Sequence, residues 1–403
     1  MEAVEDVVIV GSGIAGLATA LGLYRIGIRS LVLESSDRLR TTGYAFVTWK
    51  NAWKALDALG IGDALRSSHL QLTRLRVASR VTGLTASEVL FMDNEKGKNF
   101  EVRCLRRTLL LETLERELPH GTIRFGSKVV SLEKSGNLQL LHLADGSTMK
   151  TKVLIGSDGV NSIIAKSLGL GTPAFAGRSA VRGIAELPEG HNLKPEFLQN
   201  VGDGLRSGFV PCDDKTVYWF FTYIPSPHNK KFEGDAEEMK QYILSKLGAV
   251  PKQILAIVEA SELETMVPYP LSYRRPWELL WGSICKDNVC VTGDAFHPMT
   301  PDLGQGACSA LEDGVTMARC LGEALLGKGG NEATRIKSGL EKFAKERRWR
   351  SINLITTAYV TGLIQQSDDR VVSFLRDKFL AGVLAGNLLR SADFDCGNLY
   401  KTR

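Results

Sequence analysis

Val7–Glu34, VVIVGSGIAGLATALGLYRIGIRSLVLE, is the stretch from which the rest of the chain is read. Val7 to Val10 are apolar and mostly β-branched, the pattern of a strand buried on both faces. The chain then turns through Gly11-Ser12-Gly13-Ile14-Ala15-Gly16 into an Ala- and Leu-rich helix over about 14–26. Gly27 ends the helix, and Ile28 to Leu33 predict a second strand closed by Glu34 and Ser35. Gly11 permits the tight turn, Gly13 leaves room for a pyrophosphate, and Gly16 lets helix and strand approach. Free N–H groups at the helix start, around Ile14 and Ala15, favour phosphate. Glu34 stands where an acidic side chain can accept from an adenosine ribose. The stretch therefore predicts a dinucleotide, FAD or NAD(P), without choosing between them.

With 403 residues the chain can build two or three domains around a large core. Hydrophobic residues at 44% and charged residues at 24% are ordinary for a globular protein. A net charge of +5 is slight for this length and gives no argument for nucleic acid. The basic run Lys345-Glu346-Arg347-Arg348-Trp349-Arg350 reads as a solvated helix face. Seven cysteines lack CxxC spacing, so they read as reduced thiols and neither a disulfide frame nor a metal site. The first strand begins by Val7, which leaves no space for a presequence, and a cytoplasmic protein is expected. No apolar run reaches membrane-spanning length; the nearest, Phe379 to Leu389, is bracketed by Arg376, Lys378 and Arg390.

Further along, Ser35 to Thr42 is a polar turn, and Ala52 to Leu65 predicts a helix and its exit. Leu70 to Arg80 and Glu88 to Met92 predict strands, with a charged turn at Asn94 to Asn99. Val102 to Leu118 carries a leucine stripe, including Leu105 and Leu114, that predicts one helix. Thr122 to Phe125, Val129 to Glu133, Leu138 to Leu143 and Thr148 to Lys152 predict an antiparallel meander. Val153 to Ile155 predicts a separate short buried strand. Pro173 to Trp281 holds most of the prolines and predicts a second domain with its own sheet, including strands at Ser179 to Ala185 and Thr216 to Ile224. Ala236 to Leu247, Lys252 to Ala260, Cys308 to Leu326 and most of 335–390 predict helices.

Two further segments bear on the choice of dinucleotide. Gly156-Ser157-Asp158-Gly159-Val160-Asn161-Ser162 follows one buried strand. Gly293-Asp294-Ala295-Phe296-His297-Pro298-Met299-Thr300-Pro301 follows another, and Asp302-Leu303-Gly304-Gln305-Gly306-Ala307 then opens a helix. Carboxyl ends of strands are where open α/β sheets bind ligands. Asp294 suits a ribityl hydroxyl. The N–H groups around Gly304 and Gly306 suit the negative charge of a reduced flavin.

Together the three segments resemble class A flavoprotein monooxygenases, the para-hydroxybenzoate hydroxylase-like group. GSGIAG is similar to that group's first FAD motif, and GSDGVNS to its DG motif, which serves FAD and NAD(P)H. GDAFHPMTPDLGQGACSALEDG is similar to its second FAD motif, with Gly293 and Asp294 at the head. Arg107, in RRTLLLETL, matches an arginine that contacts FAD. NAWKALDALGIGD, KERRWR and FDCGNL are similar to the plant monooxygenase-like branch. One departure is Ala165, beside Lys166, where many members carry arginine. The resemblance implies an α/β fold: a Rossmann-type FAD-binding domain (1–75, 100–172, 282–330) interleaved with a β-sheet substrate domain (76–99, 173–281), then a helical C-terminal region (331–403). It implies FAD as cofactor, NAD(P)H and O2 as co-substrates, and hydroxylation of a small aromatic metabolite through a C4a-hydroperoxyflavin. Asp158, Gly159, Asp294, Pro301 and Gly306 would hold and shape the flavin site. Isoprenoid epoxidation and a non-catalytic FAD-binding protein are the alternatives; a monomer or weak homodimer is expected.

No side chain need act as a nucleophile. Arg182, Tyr223 and His297 are the catalytic candidates. Arg182 and Tyr223 lie on strands of the expected substrate domain, where alternation gives each an even chance of facing a cavity. His297 could act as a base, but a histidine holding a turn is the simpler reading. Trp219, Phe220 and Phe221 read as core, and Asp6 and Asp313 as solvated or capping.

Overall fold

The computed structural model describes residues 4–39, 44–80, 83–93, 98–226, 234–248, 250–266, 268–375 and 381–399. Arg40 to Thr42, Asn94 to Gly97 and the head of the apolar run at Phe379 lie outside the described residues.

The first sheet has eight strands. Its centre is four parallel strands: Leu31–Leu33, Val4–Val10, Thr148–Gly156 and Val289–Val291. Val10 is in register with both Leu33 and Gly156, and Gly156 with Val291. All four therefore end at one level, and Glu34, Gly11, Ser157 and Thr292 emerge side by side. Val8, Ile9, Leu154 and Ile155 are fully buried, as expected of a sheet covered on both faces. The helix Ile14–Arg25 covers this sheet and packs on the helix Gly306–Leu326. That approach requires small residues: a Cβ on Gly314 would lie 2.5 Å from the Ala18 Cβ.

Three expectations about elements are corrected here. Thr122 to Phe125 leaves the meander, because Ile123–Arg124 pairs parallel with Leu31–Leu33. Thr148 to Lys152 and Val153 to Ile155 form one strand whose first half pairs with Leu138–Leu143 and whose second half pairs with Val289–Val291. The helix predicted from Val102 begins only at Arg107. Arg103–Arg106 is a strand paired antiparallel with Ala45–Thr48. Leu105 is buried in that pairing, so a tertiary contact overrides the leucine period.

The second sheet has seven strands, drawn from residues 74–90 and 174–273. Along Thr216–Tyr223 the side chains alternate. Trp219, Phe221 and Tyr223 pack with Met239, Ile243 and Ile257, from the helices Ala236–Lys246 and Lys252–Glu259. Tyr218, Phe220 and Thr222 point the other way, toward the first sheet. The C-terminal part is led by the 34-residue helix Glu332–Gln365. No helix among the described residues is long and apolar enough to cross a membrane.

Candidate flavin and substrate site

A cavity of about 710 Å³ opens where the parallel strands end and runs on to the second sheet. Its volume falls within the usual range for ligand sites. Gly11, Gly13, Ile14, Ala15, Glu34 and Ser35 line its first end. Gly11 has φ +104°, and a Cβ there would lie 2.4 Å from the Ser157 carbonyl oxygen of the neighbouring strand end. Gly16 does not line the cavity; a Cβ there would lie 1.9 Å from the Gly11 oxygen. Its requirement is internal packing.

Glu34 accepts hydrogen bonds from Ser12 N (2.9 Å) and Ser12 Oγ (2.7 Å), and from Ser35 Oγ and Ser36 N. Burial pushes its carboxyl up, but these donors outweigh burial and hold it below the usual range. It thus ties the glycine turn to the second strand while still fronting the cavity.

Arg107, Asp158, Gly159, Gly293 and Asp294 line the middle. Arg107 opens its helix, its N–H bonded to the Tyr44 carbonyl. Asp158 accepts from Ser162 Oγ (2.5 Å) and Ile163 N (2.9 Å), which closes the DG turn. Burial raises its carboxyl above the usual value. Asp294 is surrounded by protein yet open to the cavity, and it accepts no hydrogen bond from the described residues. Burial raises its carboxyl too, opposed by His297, Arg182 and Arg107.

Pro301, Gly304, Gly306 and Ala307 line the far side. Gly304 has φ +63°, which a non-glycine side chain rarely adopts. The adjacent Asp302 is buried and clamped by Arg178 (2.8 and 3.0 Å) and Arg206 (2.9 Å). Arg178 also donates to Gln366, at the end of the long helix.

Of the catalytic candidates, only Arg182 reaches the cavity. Its guanidinium lies 4.3 Å from the centre of the Tyr269 ring. No described carboxylate is within salt-bridge distance of it; Asp294 acts on it at longer range. Tyr223 is corrected: it sits on the opposite face of its strand, between Phe221 and Tyr242. His297 is corrected as a candidate base: it is fully buried, off the cavity, with Nε2 2.6 Å from Asp313 Oδ2. Holding a turn is what it does. Phe220 is also corrected, since it lines the cavity while Trp219 and Phe221 are core.

Asp313 is not solvated, and Arg347 is not on a solvated face; both are fully buried. Asp313 accepts from Gly293 N (2.7 Å), from His297 and from Arg347 Nε (2.7 Å). Arg347 also donates to Glu312, Ser309 Oγ and the Ser309 carbonyl. Glu312 further accepts from Asn51 and Arg350. This network fastens the long helix to the turn that presents Asp294.

Burial raises Glu312 and Asp313, but Arg347 and Arg350 for the first, and His297 and Arg347 for the second, outweigh it and hold both below the usual range. Acids held low stabilise the fold fully above the unfolded carboxylate range, and the contribution is lost as pH falls through their lower folded values. Acid unfolding followed by circular dichroism should therefore set in only below about pH 4.

Sequence reading missed Tyr44, Phe197, Gln199, Arg206, Tyr218 and Tyr269 of the lining. Four of these lie on strands that the sequence did not reveal: Tyr269 on Tyr269–Tyr273, Phe197 and Gln199 on Glu196–Gly202, and Arg206 on Leu205–Pro211. The last is buried throughout, so it shows no alternation. Only a Phe220-type alternation, polar and aromatic side chains two apart, offered a signal.

Two sheets with a cavity between them, one end a strand–glycine-turn–helix and the other walled by arginine and phenols, define a two-sheet α/β protein with its ligand site at the strand ends. A family model described as FAD binding domain matches residues 5–355, so the chain belongs to this family of FAD-dependent monooxygenases. "Monooxygenase 2" of Arabidopsis thaliana is 51% identical over 99% of both chains. "Monooxygenase 1" of the same plant is 35% identical over 98% of this chain and 99% of its own. The crystal structure of Klebsiella pneumoniae HpxO complexed with FAD and uric acid shares the fold, with TM-score 0.80, 22% identity and 96% of each chain covered.

The residues present fit FAD. A Cβ on Gly13 or on Gly306 would meet no atom within 4 Å, and both positions line the cavity. Glycine there is not demanded by contacts with the protein, and both positions leave the space beside them open to the cavity.

Proposed function

We propose that this protein hydroxylates a small, anionic, aromatic metabolite, with electrons from NAD(P)H and oxygen from O2. The observation that carries the reading is Arg182: a cation in the cavity wall, on the second sheet, with no carboxylate partner among the described residues. FAD, when bound, would supply the redox chemistry that links NAD(P)H and O2 to insertion of one oxygen atom into the substrate. The chain's residues do the rest. The N–H groups after Gly13 receive the pyrophosphate, and Arg107, Asp158 and Asp294 hold and orient the cofactor. Arg182 anchors the substrate's negative charge. Burial pushes the Tyr218 and Tyr269 phenols up, so both remain protonated and can donate to a substrate oxygen. Burial also raises Tyr44. Phe197 and Phe220 supply flat apolar walls for a ring. In this reading the first sheet carries the cofactor and the second sheet the substrate. Such polar walls do not suit an isoprenoid hydrocarbon, and an intact cavity speaks against a non-catalytic protein.

The test is NAD(P)H oxidation by FAD-loaded protein across a panel of aromatic carboxylates and their neutral amides, with product mass recorded. Gain of one oxygen on a carboxylate but not its amide supports the reading; oxygen insertion only into neutral hydrocarbons sinks it. Arg182→Gln should lower kcat/KM for the carboxylate by about two orders of magnitude, since truncating one partner of a buried charge pair costs about 2–5 kcal/mol. FAD content should be unchanged.

A further inference from the structure

We propose that Cys285 and Cys290 form a peroxide-oxidised dithiol that closes to a disulfide across the hairpin leading into the Gly293-Asp294 turn. Cys285–Lys286 and Val289–Val291 are antiparallel, with Cys285 directly opposite Cys290. Asp287, at φ +53°, and Asn288 make the turn. Val291 N donates to the Ile284 carbonyl, so Ile284 and Val291 are a hydrogen-bonded pair. The next pair, Cys285 and Cys290, is then the non-bonded kind, in which opposed Cα atoms stand about 4.5 Å apart with side chains close on one face. A disulfide spans Cα separations of about 4.4–6.8 Å, so the bridge needs no strand movement.

The two thiols differ in the way a reacting and a resolving cysteine must. Cys285 is half-buried, whereas Cys290 is fully buried. The neighbouring Cys290 thiol, with the positive charge of Arg348 and Lys337, holds the Cys285 thiol below its usual value despite burial and Glu341. Burial and the same contact push Cys290 well up. The thiolate is the nucleophile, and an accessible low-pKa thiol beside a second thiol is the arrangement that oxidises reversibly.

The step balances as follows. The Cys285 thiolate attacks one oxygen of hydrogen peroxide; the O–O bond breaks, a sulfenic acid forms, and the departing hydroxide takes a proton to become water. Cys290 sulfur then attacks the sulfenic sulfur, the S–S bond forms, and a second water leaves with the Cys290 proton. Two thiols lose two electrons and one peroxide gains them. A flavoprotein that activates oxygen without substrate releases peroxide, but added peroxide suffices, so the site stands apart from the choice of substrate.

Another thiol pair supplies the internal comparison. Cys104 and Cys212 have Sγ atoms 3.5 Å apart, but both are fully buried, and burial pushes Cys104 well up. FAD-loaded protein would be treated with hydrogen peroxide, alkylated, digested with trypsin and sequenced by mass spectrometry. The expected result is a link between the peptide ending at Lys286 and the one beginning at Asp287, located by fragmentation at Cys290 rather than Cys308, and reversed by dithiothreitol. The link should form at least about tenfold faster than any Cys104–Cys212 bridge, because the thiolate reacts. Cys290→Ser should leave a Cys285 sulfenic acid that dimedone traps, and Cys285→Ser should leave Cys290 unoxidised. Free Cys285 and Cys290 after peroxide in the wild-type protein, or prior bridging of Cys104 to Cys212, would overturn the proposal.

Discussion

Gly13→Val is expected to give a folded protein that no longer retains FAD. Gly13 has φ −74° and ψ −176°, extended backbone that valine adopts readily. A Cβ there meets no protein atom within 4 Å, so the fold has no reason to object. The space it would fill is the end of the cavity in front of the first helix, where the free N–H groups point. Forcing extra methyl groups into an occupied site costs about 1–3 kcal/mol or more, roughly a ten- to hundredfold loss of affinity. Gly16→Ala is the opposite case. Its Cβ would fall 1.9 Å from a backbone oxygen, so the fold itself should suffer. Flavin absorbance after gel filtration, beside a thermal melt, separates the two. Gly13→Val that purifies yellow at full occupancy would defeat the phosphate-turn assignment.

Arg347→Ala is expected to have the largest effect on stability. It removes the cation shared by Glu312 and Asp313, each fully buried. Breaking a buried ion pair by deleting one partner costs about 3–5 kcal/mol, because a desolvated charge is left behind. The damage should spread to the cofactor, since Asp313 also holds Gly293 N and His297 at the turn that presents Asp294. A combined Glu312→Gln, Asp313→Asn, Arg347→Met variant should recover part of the loss, because no buried carboxylate is then left without its cation, and Arg350 keeps its bond to the Ser391 carbonyl. Thermal melts of the three proteins, with and without added FAD, check this. A single Arg347→Ala variant as stable as wild type would show that the network adds nothing to the fold.

The contrast between these two positions shows what could be read early. The turn that carries Gly13 was legible because its signal is local: a strand, a helix start and an acid at fixed spacing, all within one supersecondary unit. Arg347 was not. In sequence it belongs to a basic run, and nothing nearby marks it as buried. Its partners, Glu312 and Asp313, lie 35 and 34 residues earlier on another helix. Charge patterning describes a helix surface and does not say what covers it.

The sequence by itself determined the parallel centre of the first sheet, the glycine turn and the strand-end motifs at Asp158 and Asp294. Those features rest on short-range periodicity and on residue types that a phosphate-binding turn requires. Tertiary structure alone decided which faces of the second sheet's strands meet the cavity. A one-residue change of face put Tyr223 among the helices and Phe220 in the lining, and period-two alternation cannot choose between them. It also decided that Arg103–Arg106 is a strand and that Asp302 holds two arginines from different strands. In each case the deciding partner is distant in the chain, and its free energy of contact is absent until the sheets pack.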